Sequence, residues 1–117
     1  MKGNSGLFIG TSGSNISTIH SLTNMKPNNL SKEWKETTNP IAKANGSNRQ
    51  TFKNSKTGLV IHFDKGQKGK NGFLGKDHWH IDNPKATSSK DAYLDINGNP
   101  CGKGSKASHI IVIKGGK

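Results

Sequence analysis

Residues 76–84, Lys-Asp-His-Trp-His-Ile-Asp-Asn-Pro, carry the clearest structural pattern in the sequence. Trp and Ile alternate with polar residues there and Asn-Pro ends the run, a pattern that predicts a short β-strand. Because successive side chains of a strand point to opposite faces, Trp79 and Ile81 share one face. The other face carries four polar side chains, Lys76, His78, His80 and Asp82. We therefore expect one face of this strand in the core and an active site on the other.

The size and composition of the chain limit what can surround that strand. With 117 residues, of which 28% are hydrophobic, it can build one domain with a thin core. Fifteen glycines indicate a loop-rich fold, although several apolar runs argue against wholesale disorder. We expect one domain over residues 1–117, with the Gly/Ser-rich residues 1–14 as a flexible lead-in.

The charge of the chain favours a polyanionic partner. Its formal net charge is +11, well above the net charge of about 2–8 that solubility requires of a small domain. A nucleic acid, an anionic membrane surface or an acidic protein would be attracted. Arg49 is the only arginine, and lysines act on phosphates as point charges rather than in planar bidentate recognition. Attraction to a nucleic-acid backbone is therefore better supported than readout of a duplex sequence.

Several classes of protein are excluded by what the sequence lacks. The single Cys101 excludes an intrachain disulfide and a multi-cysteine zinc site. No stretch approaches the roughly 20 apolar residues that span a bilayer. Residues 1–13 contain no sustained apolar region, so we expect no secretory signal there. The chain could still be a fragment of a longer secreted protein.

The order of elements predicts an α+β fold, with short N-terminal helices followed by a four- to five-stranded antiparallel sheet. Apolar residues recur at helical spacing from Ile16 to Leu22, with Asn15 as the cap and Pro27 as the stop. A second short helix is predicted to begin at Ser31, around Trp34.

A β-hairpin is predicted from Arg49–Lys53 and Leu59–Asp64, which flank a turn at residues 55–58. In the second strand Leu59, Ile61 and Phe63 share one face. Val60, His62 and Asp64 share the other. His62 would either join the histidines of the central strand or face the solvent, and both interpretations stay open.

Two more strands and a turn are predicted beyond the central strand. Residues 92–95 form a short strand pattern, and Asn97-Gly98 is a strong turn signal. Residues 108–113 give the most apolar strand, with His109 near its start, where it would face the mouth of a site.

Residues 65–75 form a Gly/Lys-rich loop directly before the central strand. Glycines permit close backbone approach, and lysines attract phosphates. The loop lacks the Gly-Lys-Ser/Thr ending of a Walker loop, so nucleotide hydrolysis of that type is not expected.

Four segments of residues 59–117 carry a resemblance to a known group of proteins: Ile-His-Phe-Asp-Lys-Gly, Gly-Lys-Asp-His-Trp-His-Ile-Asp-Asn-Pro, Tyr-Leu-Asp-Ile-Asn-Gly-Asn-Pro and Ser-His-Ile. They resemble C-terminal ribonuclease toxin domains of bacterial polymorphic and contact-dependent inhibition systems, in the barnase/EndoU/colicin/RelE-like group. The resemblance implies a helix-plus-antiparallel-sheet fold, metal-independent RNA cleavage and a cognate immunity protein. It also implies delivery from a producing bacterium within a larger protein, and action in the target-cell cytoplasm. The histidines that the resemblance carries over as functional residues are His78, His80 and His109.

The residues also support RNA cleavage on chemical grounds. RNA carries its own nucleophile in the 2′-OH, so metal-free cleavage needs a base, an acid and cations near the phosphate. Two imidazoles can fill the first two roles, because a histidine pKa of about 6.5 permits either protonation state near neutral pH. His78 and His80 would stand about 7 Å apart, at about 3.3 Å per residue.

From this chemistry we expect one of His78 and His80 to be the base, and His109 or the other of the pair to be the acid. Lys76 would be the best-placed phosphate ligand, so the predicted catalytic set is His78, His80, His109 and Lys76. The predicted substrate-binding set is Lys65, Lys68, Lys70 and His62. Asp82 or Asp77 could orient an imidazole. No cofactor and no metal are expected.

Two alternative functions stay open. His-x-His with a third histidine and a carboxylate can bind zinc or a nuclease metal. A non-catalytic RNA-binding module would instead stack Trp79, Tyr93 and Phe73 on bases. The expected partners are RNA, with transfer RNA one candidate class, and an acidic immunity protein that covers the lysine-lined cleft.

Overall fold

The computed structural model describes residues 18–113, which form an antiparallel sheet with short helical segments. Six strands follow one another in space, in sequence order. They are β1 (Trp34–Glu36), β2 (Arg49–Asn54), β3 (Val60–Asp64), β4 (His78–Asp82), β5 (Tyr93–Leu94) and β6 (Pro100–Cys101). The seventh described strand, β7 (Ile110–Ile111), pairs with β4. The α+β prediction is confirmed, with more strands than the predicted four or five because the shortest strands are too brief to show an alternating pattern.

The helical segments of the described chain are short. The α-helix α1 spans Pro40–Ala44, and residues 18–21 are also helical. The 3-10 segments are Leu22–Asn24, Pro27–Asn29, Gly72–Gly75, Ser89–Asp91 and Lys106–Ser108. The helical prediction over residues 16–22 is confirmed for the part that the structure describes, with Ile19 and Leu22 both buried. The predicted lead-in at residues 1–14, and Asn15 and Ile16, lie outside the described residues.

The predicted helix around Trp34 is wrong. Trp34–Glu36 forms the edge strand β1, with Lys35 opposite Lys53 of β2. Isolated short helices are marginal, and the unpaired edge of β2 offers backbone hydrogen bonds, so tertiary pairing overrides the local signal. The helix α1 begins later, at Pro40, and is capped by Asn39, whose side chain accepts hydrogen bonds from the N–H groups of Ile41 and Ala42.

The hairpin prediction is confirmed by the pairing of β2 with β3. Phe52 lies opposite Ile61, and Thr51 lies opposite His62. The side chain of Asn54 accepts hydrogen bonds from the N–H groups of Lys56 and Thr57, which stabilises the turn. The alternation along β3 is also as predicted, since Ile61 and Phe63 are buried in the core.

The hydrophobic core lies on the face of the sheet that Trp79 occupies. Trp79 and Ile81 are both 0% exposed, which confirms that this face of β4 is apolar and buried. The indole packs against Phe63, with ring centroids 4.9 Å apart, and its N–H donates to the Met25 carbonyl at 3.0 Å. Trp79 thereby ties the N-terminal segment to the sheet.

The chain beyond β4 contains the predicted turn and a shorter last strand than predicted. Gly98 adopts a φ of 82° and its N–H donates to the Asp95 carbonyl at 2.9 Å, so the Asn-Gly turn is confirmed. Within residues 108–113 only Ile110–Ile111 forms a strand. Among residues 18–113 the structure contains no helix with the length and apolar character that crossing a membrane requires.

Removal of the central indole should destabilise this fold. We expect Trp79→Ala to lower the free energy of unfolding by about 3–5 kcal/mol, because it leaves a large cavity and removes the donor to Met25. Urea denaturation followed by circular dichroism measures the loss. Trp34→Ala is the matched control: Trp34 is only partly buried, at the sheet edge, and its loss should cost less. Equal losses for the two variants would contradict the placement of the core.

Candidate active site

A cleft of about 650 Å³ opens over the polar face of β3 and β4. Its floor holds a cluster of ionisable and aromatic side chains, which are Arg49, Asp64, His78, His80, Tyr93 and His109. Its walls come from three loops, which contribute Ser47 and Asn48, five residues of the stretch 65–74, and Lys103 and Gly104. The cleft therefore lies where sequence analysis places the active site, on the face of β4 opposite Trp79.

The pairing register of β2, β3 and β4 brings the floor residues of the cleft together. Arg49 of β2 lies opposite Asp64 of β3, and Asp64 lies opposite His78 of β4. Side chains directly opposite one another in an antiparallel sheet are near neighbours, so these three form one continuous polar row. Thr51, His62 and His80 form a second row beside it.

The carboxylate of Asp64 is shared by three cationic or imidazole groups. Arg49 binds it through two nitrogens, with Nε 2.7 Å from Oδ1 and Nη2 2.8 Å from Oδ2. The Nε2 atoms of His78 and His80 lie 3.3 Å and 3.5 Å from the same Oδ2. Burial by itself would raise the pKa of Asp64, but hydrogen bonds from Arg49 and the two imidazoles hold this pKa well below its usual range. Asp64 is therefore an ionised hydrogen-bond acceptor at neutral pH.

His78 is held between two acceptors. Its Nδ1 lies 2.9 Å from the Lys76 carbonyl oxygen, and its Nε2 faces Asp64. Because both partners only accept hydrogen bonds, this arrangement favours the imidazolium, which carries a proton on each nitrogen. Burial acts to lower the pKa of His78, but the bond to Asp64 and the bond to the Lys76 carbonyl outweigh it and raise this pKa above its ordinary value.

The surroundings of His109 favour the opposite protonation state from that of His78. Its Nδ1 lies 2.7 Å from the Ser105 carbonyl oxygen and donates to it, which leaves the lone pair on Nε2. The ring stacks on Phe73, with centroids 4.1 Å apart and planes inclined by 11°. Burial lowers the pKa of His109, and the charges of His80 and His78 lower it further, against the opposing effect of the Ser105 carbonyl. His109 therefore favours the neutral form.

His80 lies between the other two histidines and stacks on Tyr93. Its ring centroid is 5.0 Å from that of His78, 4.7 Å from that of His109 and 4.7 Å from that of Tyr93. Its Nδ1 is buried without a hydrogen-bond partner among the described residues. One ligand nitrogen from each histidine lies within 4.8 Å of the others, so this cluster could also hold a transition-metal ion.

The structure brings together some of the residues that the sequence predicts for the site and leaves others apart. His78, His80, His109 and Lys65 all line the cleft. Lys76, Lys68 and Lys70 are exposed and are not among the lining residues, although Lys76 contributes its carbonyl to His78.

His62 also lies outside the cleft lining, although it is opposite His80 in the sheet. Its Nδ1 is 2.9 Å from the Thr51 hydroxyl and its Nε2 is 2.8 Å from an oxygen of Asp82. Asp82 therefore orients an imidazole, as predicted, but the imidazole is that of His62 and not one in the cleft. Asp77 instead accepts a hydrogen bond from the Gly66 N–H and pairs with Lys26. The carboxylate that faces the histidine cluster is Asp64.

Sequence reasoning missed Arg49 and Asp64 as members of the site, and Lys103 at its rim. One signal for the first two was present. The predicted hairpin places its first and last residues opposite each other, and these are Arg49 and Asp64. Lys103 is not recognisable in this way, because a Gly/Lys loop carries no pattern that indicates its position in space.

No protein-family model, curated protein or solved structure matches this chain.

The hydrogen bonds of the site should separate the titrations of two histidines. We expect the ring-proton NMR signals of His78 to titrate with a midpoint above the ordinary histidine pKa of about 6.5, because this ring bonds an anion. Those of His109 should titrate with a midpoint below it, because this ring is desolvated beside two other imidazoles. Asp64→Asn should lower the midpoint of His78, since the amide carries no charge. A His78 midpoint that stays the same in Asp64→Asn would show that Asp64 does not control this ring.

Proposed function

We propose that this domain is an endoribonuclease that cleaves RNA without a metal ion, by transfer of the phosphate to the 2′-OH. The observation that carries the proposal is the pairing of His109 with His78. Their ring centroids are 5.0 Å apart in the cleft, and their hydrogen-bond partners favour a neutral His109 with an acceptor Nε2 and a cationic His78. Two titratable groups whose surroundings push their pKa values apart are the signature of an acid and a base.

The roles follow from the hydrogen bonds. Nε2 of neutral His109 takes the proton of the 2′-OH, and the oxygen forms a bond to phosphorus. The bond from phosphorus to the 5′ oxygen breaks, and His78 supplies the proton that this oxygen needs to leave, as its Nε2–H exchanges Asp64 for that oxygen. The products carry a 2′,3′-cyclic phosphate and a 5′-hydroxyl. These roles make His109 the base, whereas sequence analysis expects the base at His78 or His80.

Asp64 positions the acid in this scheme. It holds the Nε2–H of His78 and also faces Nε2 of His80, so both rings are oriented before substrate binds. Because Arg49 binds both oxygens, the carboxylate stays ionised when His78 has given up its proton. The proton can then be replaced from solvent. Lys65 and Lys103 line the cleft and supply the attraction for phosphates.

A metal-dependent nuclease is the second candidate, supported by the three imidazole nitrogens within 4.8 Å of one another. The hydrogen bonds favour the metal-free reaction. Nε2 of His78 donates to a carboxylate that Arg49 already occupies, so binding a cation through this nitrogen would require the loss of a proton and of that bond.

The non-catalytic RNA-binding module has less support. Trp79 is fully buried, and Tyr93 is 8% exposed with its ring against His80. Neither residue offers a free face on which a base could stack. Phe73 alone of the three aromatics remains half-buried beside the cleft.

The biological setting that we propose is that of a toxin. The resemblance of residues 59–117 to bacterial ribonuclease toxin domains supports delivery from a producing bacterium and action on RNA in the target-cell cytoplasm. A net charge of +11 suits both an RNA substrate and an acidic immunity protein over the cleft.

Loss of either proposed catalytic histidine should remove turnover and retain RNA binding. We expect His109→Ala and His78→Ala each to lower kcat by about 10²–10⁴-fold, with a much smaller change in KM. The pH profile of kcat/KM should fall at acid pH as His109 gains a proton, and at alkaline pH as His78 loses one. His20→Ala is the control, because this exposed histidine is not among the cleft residues. Unchanged kcat in His109→Ala would exclude it as the base.

The products of cleavage should distinguish the two nuclease mechanisms. We expect the protein, after dialysis against EDTA, to cut RNA and to leave 2′,3′-cyclic phosphate ends, because the proposed nucleophile belongs to the substrate. Analysis of the fragment ends by mass spectrometry measures this. Activity that disappears in EDTA and returns with an added divalent metal would transfer support to the metal-dependent nuclease.

A further inference from the structure

The loop between β3 and β4 forms one wall of the cleft, and its side chains there are not those of a phosphate site. The loop residues in the lining beyond Lys65 are Gln67, Asn71, Phe73 and Leu74. Its other lysines, Lys68 and Lys70, are exposed and are not among the lining residues. The Gly/Lys composition suggests a phosphate loop, but the face that meets the cleft carries amides and apolar groups.

This loop has an ordered backbone. The Gly66 N–H donates to Asp77 Oδ1 at 2.7 Å, and the Gln67 N–H donates to the Leu74 carbonyl at 2.7 Å. A Cβ on Gly66 would lie 2.8 Å from the Gly75 carbonyl oxygen, and a Cβ on Gly75 would collide with the carbonyl of Lys70. The loop therefore closes on itself through contacts that only glycine permits, and it presents its lining side chains from a fixed backbone.

The chemistry of the wall matches that of a nucleobase. Leu74 is 57% exposed, unusual for a large apolar side chain, and Phe73 lies beside it. The side-chain amides of Gln67 and Asn71 make no hydrogen bond to any described residue, so both remain able to donate and accept. A nucleobase has apolar faces that pack on such side chains and a polar edge that amides recognise.

The position of the wall decides which nucleotide it would meet. Phe73 stacks on His109 with ring centroids 4.1 Å apart and meets His78 edge-on at 6.3 Å, so the wall lies nearer to the proposed base of the reaction than to the proposed acid. The ribose whose 2′-OH is deprotonated must lie against His109, and its own base must lie within one nucleoside of that point. The nucleotide on the other side of the scissile phosphate would extend towards His78 instead.

We infer that residues 66–75 form the subsite for the nucleobase of the nucleotide that supplies the 2′-OH. Phe73 and Leu74 contact the face of the base, and Gln67 and Asn71 contact its edge. This inference rests on the proposed ribonuclease function and adds to it the group that determines where RNA is cut.

Binding of small nucleotides tests the subsite without requiring cleavage. The four nucleoside 3′-monophosphates and ribose 5-phosphate are titrated against the whole chain, with the ring signals of His78 and His109 followed by NMR. We expect at least one nucleotide to bind about tenfold more tightly than ribose phosphate, because it adds stacking and edge contacts.

Three variants of the loop test the individual contacts. Asn71→Ala and Gln67→Ala should each reduce the preference among the four bases by about fivefold, which corresponds to the loss of one hydrogen bond. Leu74→Ala should weaken the binding of all four nucleotides and leave the affinity for ribose phosphate unchanged.

Matched controls come from side chains of the same kind that do not line the cleft. Asn97→Ala removes an exposed amide and Ile41→Ala removes an exposed apolar side chain, and neither should alter nucleotide binding. The inference is overturned if nucleotides bind no better than ribose phosphate, or if the loop variants behave as the controls do. If RNA is still cleaved in that case, only the subsite is wrong. If RNA is not cleaved and no phosphate perturbs the histidines, the ribonuclease proposal fails and the subsite with it.

Discussion

The arrangement of the cleft depends on one carboxylate, that of Asp64. Arg49 binds both of its oxygens, and His78 and His80 both face one of them. A partly buried carboxylate without a cation would take up a proton, so Arg49 is what keeps Asp64 able to accept. Through that acceptor the pKa of His78 is raised, whereas burial and the two neighbouring imidazoles lower the pKa of His109. The two imidazoles, with ring centroids 5.0 Å apart, therefore have different electrostatic surroundings.

The sheet supplies the rigidity that this ion pair requires. Strand β4 is central and covered on both sides, because Trp79 and Ile81 are buried in the core while His78 and His80 are buried under the cleft. Groups on paired strands are held more closely than groups on loops, which suits proton transfer over short distances. The buried indole therefore anchors the strand that carries the two imidazoles.

One edge of β4 is divided between two short strands, and the division brings the remaining groups to the site. Strand β7 pairs with His78 and Trp79, and β5 pairs with Ile81 and Asp82. His80 lies at the junction between them. The residue before β7 is His109 and the first residue of β5 is Tyr93, so one ring reaches the histidine pair from each side. The division of this edge assembles the floor from parts of the chain that are far apart in sequence.

The sequence by itself determined the two-faced strand at residues 78–82, the hairpin before it, the Asn-Gly turn and the α+β class. These features follow from period-two alternation and from turn chemistry, which depend on neighbouring residues alone. Tertiary structure decided what depends on pairing over long separations. It made Trp34 part of an edge strand and paired His62 with Asp82. It also left Lys68 and Lys70 outside the cleft lining and placed Asp64 beside His78. Register between strands and the path of a closed loop set those positions, and no local pattern encodes either of them.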